Sequence, residues 1–338
     1  MKSKNLYNQI TNFIKSKNYK ELSLNPVIDL KYIRNEKLKK YLFTFKDNKT
    51  NKTFALRPDL SLMSLIEFSK SKISKKTKIY YSGESFRKNQ KMNTQIGFEI
   101  YNYNKQKDEK EIILNSAKIY QKVIGVNGNL KIGNVQLFQA VLKQLKLAKR
   151  WQDRLISLRQ NKKYFNEILK RLETNKDIDE NEFELDKKMY INLKKINQNE
   201  IIANRTVRDI LKRFEQKIYI QPRPENGKKC VKVIREFLKI KCPIKKAPDV
   251  LSKFFTKNNL NIKISQDYFP IKINKIGKLK IYFNSSEMPE VDIYSGFVFS
   301  IRPRSKKIKR SIVGGSYNSL SSSLGLRKIN ACGAAINL

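Results

Sequence analysis

KIYYSGESFRKNQKMNTQIGFEIY, residues Lys78–Tyr101, is the stretch that decides the architecture. Apolar and polar residues alternate over Lys78–Ser82 and again over Gln95–Tyr103, which predicts two strands with one buried face each. A distant segment, Val291–Leu324 (VDIYSGFVFSIRPRSKKIKRSIVGGSYNSLSSSL), repeats the pattern. Arg87, Gln95 and Glu99 in the first stretch, and Tyr294, Gly314 and Gly315 in the second, stand among apolar neighbours. A sheet built this way buries one face and presents a pocket on the other.

Outward from these strands, Leu6, Tyr7, Ile10, Phe13 and Ile14 have helical spacing and predict an amphipathic helix over Lys2–Lys17. Tyr41–Phe45 and Thr53–Leu56 read as strands around the turn-rich Asp47–Lys52. Arg57-Pro58-Asp59 ends the second strand, and Leu60–Phe68 reads as a helix. Ile112, Ile113, Ile119, Tyr120 and Val123 place another helix over Lys110–Val123. Leu130–Ile132 reads as a strand, Gly133-Asn134 as a turn and Val135–Leu147 as a helix.

From Trp151 to Lys257 the pattern becomes charged and helical, with one glycine, Gly227, and a proline cluster at Gln221–Glu225. Strands return at Lys278–Phe283 and Ile293–Ile301. This order predicts one α+β core with an antiparallel sheet, its halves at 1–150 and 271–338, and a helical insertion at 151–270.

A chain of 338 residues with 40% apolar residues can bury a sizeable core. Its longest apolar runs fall well short of the ~18–20 residues that span a bilayer. The first residues, MKSKNLYNQITNFIKSK, carry no signal-peptide apolar block, so a cytoplasmic location is expected. The net charge of +42 is compatible with a nucleic-acid surface, but Lys, Asn and Ile are enriched throughout, as an AT-rich genome would also produce. Both readings stay open, and either predicts salt-sensitive attraction to RNA. The chain contains no histidine, which removes imidazole general bases, imidazole metal ligands and Ser-His-Asp or Cys-His catalysis. Cys230, Cys242 and Cys332 are scattered and odd in number, and read as idle buried thiols. No metal and no cofactor are expected.

FALRPDLSLMSLIEF (Phe54–Phe68), KIYYSGESFR with QIGFEIYN, NLKIGNVQLFQAVL (Asn129–Leu142), DIYSGFVF and VGGSYNSLSSSLG together resemble the class II core of histidyl-tRNA synthetase. They resemble more closely its non-catalytic relative, the regulatory subunit of ATP phosphoribosyltransferase, as does WQDRL at Trp151–Leu155. The resemblance implies a histidine site. In it Asp59 and Glu99 would accept from cationic nitrogens, and Gln95 would bond the ammonium or the ring. Arg87 would fork onto a carboxylate or phosphate. Tyr294 would offer its hydroxyl to a ring nitrogen, while Gly296, Gly314 and Gly315 would let backbone approach closely. Taken singly, Glu99 also fits a surface strand residue, Arg87 a structural ion pair and Gly314–Gly315 a turn.

Four departures from the synthetase pattern argue against catalysis. Only Lys88–Thr94, without arginine, separates Arg87 from Gln95. Pro289 stands near the place of a catalytic arginine, and proline cannot stabilise a transferring phosphate. The chain ends at CGAAINL, before the arginine of the last class II motif and before any anticodon-binding domain. The resemblance therefore implies a subunit without catalytic residues, required for the first step of histidine biosynthesis and for its feedback control by histidine. It would assemble with a short-form catalytic ATP phosphoribosyltransferase as a hetero-octamer and with itself as a dimer, with no membrane partner and no specific nucleic-acid partner. The alternatives are a degenerate synthetase-like ligase and a basic RNA-binding protein on the same fold.

Overall fold

The computed structural model describes residues 2–33, 39, 41–88, 93–123, 125–159, 161–174, 180–202, 205–218, 226–265, 268–271, 274–288, 293–304 and 310–338. Most of the link between Arg87 and Gln95, the cluster Gln221–Glu225 and Pro289 lie outside the described residues.

The N-terminal elements are α1 (Lys2–Lys15), β1 (Lys20–Glu21), β2 (Val27–Asp29), β3 (Thr44–Lys46), β4 (Thr53–Leu56) and α2 (Leu60–Lys70). They are followed by β5 (Thr77–Ser85), β6 (Asn93–Tyr101), α3 (Lys105–Val123), β7 (Gly128–Asn134) and α4 (Val135–Gln144). The middle of the chain forms α5 (Lys149–Leu158), α6 (Lys162–Thr174), α7 (Glu180–Leu193), β8 (Ile201–Ile202), β9 (Arg205–Thr206), α8 (Val207–Ile218) and α9 (Gly227–Lys239). The last elements are β10 (Lys241–Pro243), α10 (Ala247–Lys257), β11 (Lys275–Ile276), β12 (Leu279–Asn284), β13 (Phe297–Pro303), β14 (Ser311–Ser316), α11 (Leu320–Ser323) and β15 (Ala331–Asn337).

The main sheet runs β1-β5-β6-β15-β14-β13-β7-β12-β10, with β11 paired to β12. The β1–β5 and β7–β12 pairs are parallel and the other pairs are antiparallel. This is the expected α+β core, and the segments far apart in sequence meet at β15, which pairs with β6 on one edge and β14 on the other. A second sheet, ordered β2-β4-β3, packs Ile28, Leu42 and Ala55 into the same apolar cluster as α2, Ile79 and Tyr81.

Several element ends differ from the sequence expectation for local reasons. β6 stops at Tyr101 because Asn102 turns into the left-handed region, at φ 51°. α3 starts a turn early because the Asp108 carboxylate accepts from the Asn104 N–H at 2.7 Å and satisfies that end. Gly133-Asn134 is the end of β7 and not a turn; the Asn134 side chain accepts from Gln136 N at 2.8 Å and caps α4 directly. β13 begins only at Phe297, because the Ser295 and Gly296 N–H groups both bond the Ser316 carbonyl. β3 is shorter than Tyr41–Phe45 and shifted, although Phe43 O still accepts from Leu56 N and Tyr41 O from Lys88 N.

The chain divides into two compact units. One comprises Met1–Leu137, Lys239–Lys253 and Lys263–Leu338, and the other Phe138–Leu238 and Phe254–Ile262. Part of the segment 151–270 thus belongs with the sheet, because Lys241–Pro243 pairs with Tyr282–Asn284. The helical unit is held by Phe165, Phe138, Phe237 and Phe254, whose ring centroids stand 5.9–6.4 Å apart in successive pairs. Its α7 and α8 close a small core of Tyr190, Val207 and Leu211. Cys230, Cys242 and Cys332 are all free and buried.

Candidate functional site

Strand periodicity places Gln95, Gly97, Glu99 and Tyr101 on one face of β6. Glu99 sits at the bottom of that face and is only 1% exposed. Its Oε1 accepts from the Tyr81 hydroxyl at 2.5 Å and lies 3.1 Å from Ser61 Oγ. Ser61 Oγ and the Tyr81 hydroxyl are themselves 2.8 Å apart. Glu99 Oε2 and the Tyr317 hydroxyl are buried, and neither makes a well-aligned hydrogen bond among the described residues. The Tyr317 hydroxyl still stands close enough to Glu99 to favour the charged carboxylate as a poorly aligned donor.

Burial raises the Glu99 carboxyl to about 7, against the stabilising effect of Tyr317, Tyr81 and Ser61; nearby Asp59 adds to the rise. Burial, and then the neighbouring carboxylate, also push the hydroxyls of Tyr81, Tyr101, Tyr294 and Tyr317 up, so all four remain protonated. The result is a buried carboxyl, half-charged at neutral pH and packed among tyrosines. Two glycines make this close packing possible. A Cβ at Gly97 would strike the Tyr81 ring, and one at Gly333 would overlap the Glu99 carboxylate.

Asp59 caps α2 by accepting from Leu62 N at 3.0 Å. Arg87 donates from Nη2 to Asp59 Oδ2 at 3.2 Å and from Nε to Pro58 O at 2.8 Å, so it is held against the helix cap. Arg57, next to Pro58, is structural: it donates to Glu84 O at 2.7 Å and Leu24 O at 2.8 Å. Tyr294 is half-buried and meets Tyr317 edge-on, with centroids 6.2 Å apart and planes at 86°. Its ring covers Gly315, where a Cβ would lie 2.7 Å from Tyr294 Cδ1.

The structure therefore brings Asp59, Glu99, Tyr294 and Gly315 together, with Arg87 tied to Asp59. Gln95 is four residues along β6 from Glu99, and its side chain donates to Asn337 Oδ1 at 2.8 Å. Gly314 belongs to β14, not to a turn, and its Cα faces the Phe299 ring. Gly296 donates its N–H to Ser316 O and accepts from Val135 N at 2.9 Å, closing the junction below Tyr294. Ser61, Tyr81, Tyr317 and Gly333 were not singled out from sequence. The available signal was strand alternation, which puts Ile79 and Tyr81 opposite Glu99 and Gly97. Among the described residues, no group of three or more His, Cys, Asp or Glu side chains could hold a metal ion.

A sequence profile described as histidyl-tRNA synthetase matches residues 3–220, more than half of the chain. The chain belongs to the histidyl-tRNA synthetase family. Within that family it is similar to an ATP phosphoribosyltransferase regulatory subunit from Allorhizobium ampelinum, 22% identical over 295 residues that cover 79% of this chain and 77% of the relative. Solved structures of the same fold include an ATP phosphoribosyltransferase regulatory subunit/histidyl-tRNA synthetase from Bacillus halodurans (TM-score 0.58, 14% identity, 99% of this chain and 77% of that one). A histidine–tRNA ligase subunit from Alicyclobacillus acidocaldarius aligns with TM-score 0.59 and 15% identity, covering 99% of this chain and 90% of that one. For this family member, the Glu99 recess lies where the two halves of the class II-like sheet join at β6 and β15.

Proposed function

We propose that this chain is the non-catalytic regulatory subunit of an ATP phosphoribosyltransferase and binds histidine at the Glu99 recess. One observation carries the reading: the Glu99 carboxyl is buried among tyrosines, and its Oε2 makes no well-aligned hydrogen bond even with the Tyr317 hydroxyl beside it. A buried acceptor left empty costs about 1–3 kcal/mol, which a ligand N–H would recover. Imidazole ordinarily titrates near 6.5, close to Glu99 at about 7, so the two groups can share a proton at neutral pH. Tyr294 is half-buried and lies within electrostatic reach of Glu99.

Two features support a role without catalysis. The link between Arg87 and Gln95 is seven residues, KNQKMNT, and carries no arginine. Arg87 itself is committed to Asp59 and Pro58. The similarity to a regulatory subunit over most of the chain points the same way. Histidine bound at Glu99 would pass feedback inhibition to a short-form catalytic subunit within a hetero-oligomer, in the cytoplasm, with dimers of this chain as building blocks. Coupling of about 1–3 kcal/mol between the two sites would suffice.

The test uses the purified chain alone and with the catalytic subunit. Phosphoribosyl transfer should rise when this chain is added, histidine should reverse the gain, and calorimetry should detect histidine binding to this chain. ATP–pyrophosphate exchange by the lone chain would instead establish a ligase and overturn the proposal.

A further inference from the structure

The β2-β4-β3 sheet has an inverted pattern. Ile28, Leu42 and Ala55 face the core, as a half-buried sheet requires. The opposite face should then be polar, yet Phe45 pairs with Phe54, Val27 with Leu56, and Phe43 O bonds Leu56 N, which places apolar side chains outward. Tyr41, Phe43 and Phe45, spaced by two along an extended segment, are 47%, 44% and 46% exposed. Phe45 stacks on Phe54 with centroids 6.0 Å apart. With aromatic side chains of about 150–250 Å² each, these three leave roughly 250–300 Å² open, enough for the apolar centre of a standard interface of about 800 Å² per partner.

Charge decides the occupant. Lys49, Lys52 and Lys88 around this face are exposed. Asp29 and Asp47 are the acids in the same segments, and both are engaged: Asp29 by Lys31, Asp47 by Lys49 N and Thr50. A second copy would bring the same lysines and another +42 to the contact. An acidic rim complements it.

The face is also joined to the Glu99 recess. β4 runs into Arg57 and Asp59, Asp59 caps the helix that carries Ser61, and Ser61 lies on Glu99. Lys88, beside Arg87, donates its N–H to Tyr41 O at 2.8 Å.

We propose that the Tyr41–Phe43–Phe45 face docks a protein partner with an apolar centre and an acidic rim. Resting on the regulatory reading above, that partner is the catalytic subunit. The experiment measures affinity of the full chain for the catalytic subunit by calorimetry, and the mass of the lone chain by sedimentation. Phe43→Glu with Phe45→Glu should weaken binding at least tenfold without changing the lone chain's mass. Lys52→Glu with Lys88→Glu, which leaves the apolar face intact if the first variant folds poorly, should weaken binding and flatten its salt dependence. Lys162→Glu with Lys163→Glu, on the helical unit, should leave affinity unchanged. The docking surface is refuted if the face and rim variants bind like wild type, or if the Lys162/Lys163 variant weakens binding equally. It is also refuted if the face variant converts a dimer of the lone chain to monomer, which would make the occupant a second copy. A wild-type chain that binds no catalytic subunit sinks the regulatory reading, and this occupant with it.

Discussion

Replacing Glu99 with Gln should stabilise the protein above neutral pH and abolish the pH dependence that Glu99 imposes. The folded carboxyl titrates near 7 instead of 4.5, because burial disfavours its charge. Between those values the folded state holds a proton that the unfolded state has released, so stability falls as pH rises through this window. The difference between about 7 and 4.5, at about 1.4 kcal/mol per tenfold change, amounts to about 3 kcal/mol above pH 8. Gln keeps the carbonyl that Tyr81 and Ser61 contact, and its amide can donate to the Tyr317 oxygen beside it. For 338 residues, about 3 kcal/mol corresponds to a melting shift of roughly 4 °C. Melting curves of both proteins from pH 5 to pH 8.5 give the assay. The two should nearly coincide at pH 5 and diverge upward in favour of Gln, while histidine binding to the variant weakens. Parallel curves, or a wild type that is the more stable at pH 8.5, would refute the assigned burial of the charge.

Tyr81→Phe removes the hydroxyl that donates to Glu99 Oε1, so the carboxyl should titrate still higher and the loss of stability, starting at the same pH, should extend to higher pH, read from the same melts. Gly333→Ala drives a Cβ into the Glu99 carboxylate and should cost about 1–3 kcal/mol by denaturant titration, an effect that combination with Glu99→Ala should relieve only in part, because the Phe98 carbonyl would still stand 2.8 Å from that Cβ. Arg87→Ala breaks the contacts to Asp59 and Pro58 and should lower stability by about 1–3 kcal/mol; unchanged unfolding would show Arg87 to be free for a ligand.

The elements were legible in the amino-acid order because each depends on neighbours within a few residues. Alternation over Lys78–Ser82 and Gln95–Tyr103, the Pro58–Asp59 break before α2, and helical spacing over Lys110–Val123 are all local. Burying one face of each strand then requires an α+β core, so the fold class followed too. Strand register is a different matter, since it pairs residues more than two hundred positions apart. Only the β6–β15 pairing places Gly333 against Glu99, and leaves Gln95 bonded to Asn337 instead of the recess. Glu99 looks like any strand carboxylate in sequence; its raised titration exists because α2, β5 and the Tyr317 segment exclude water around it together. The outward aromatics Tyr41, Phe43 and Phe45 were visible as residues, but which face they occupy was decided by what Leu42, Ala55 and Ile28 found to bury against.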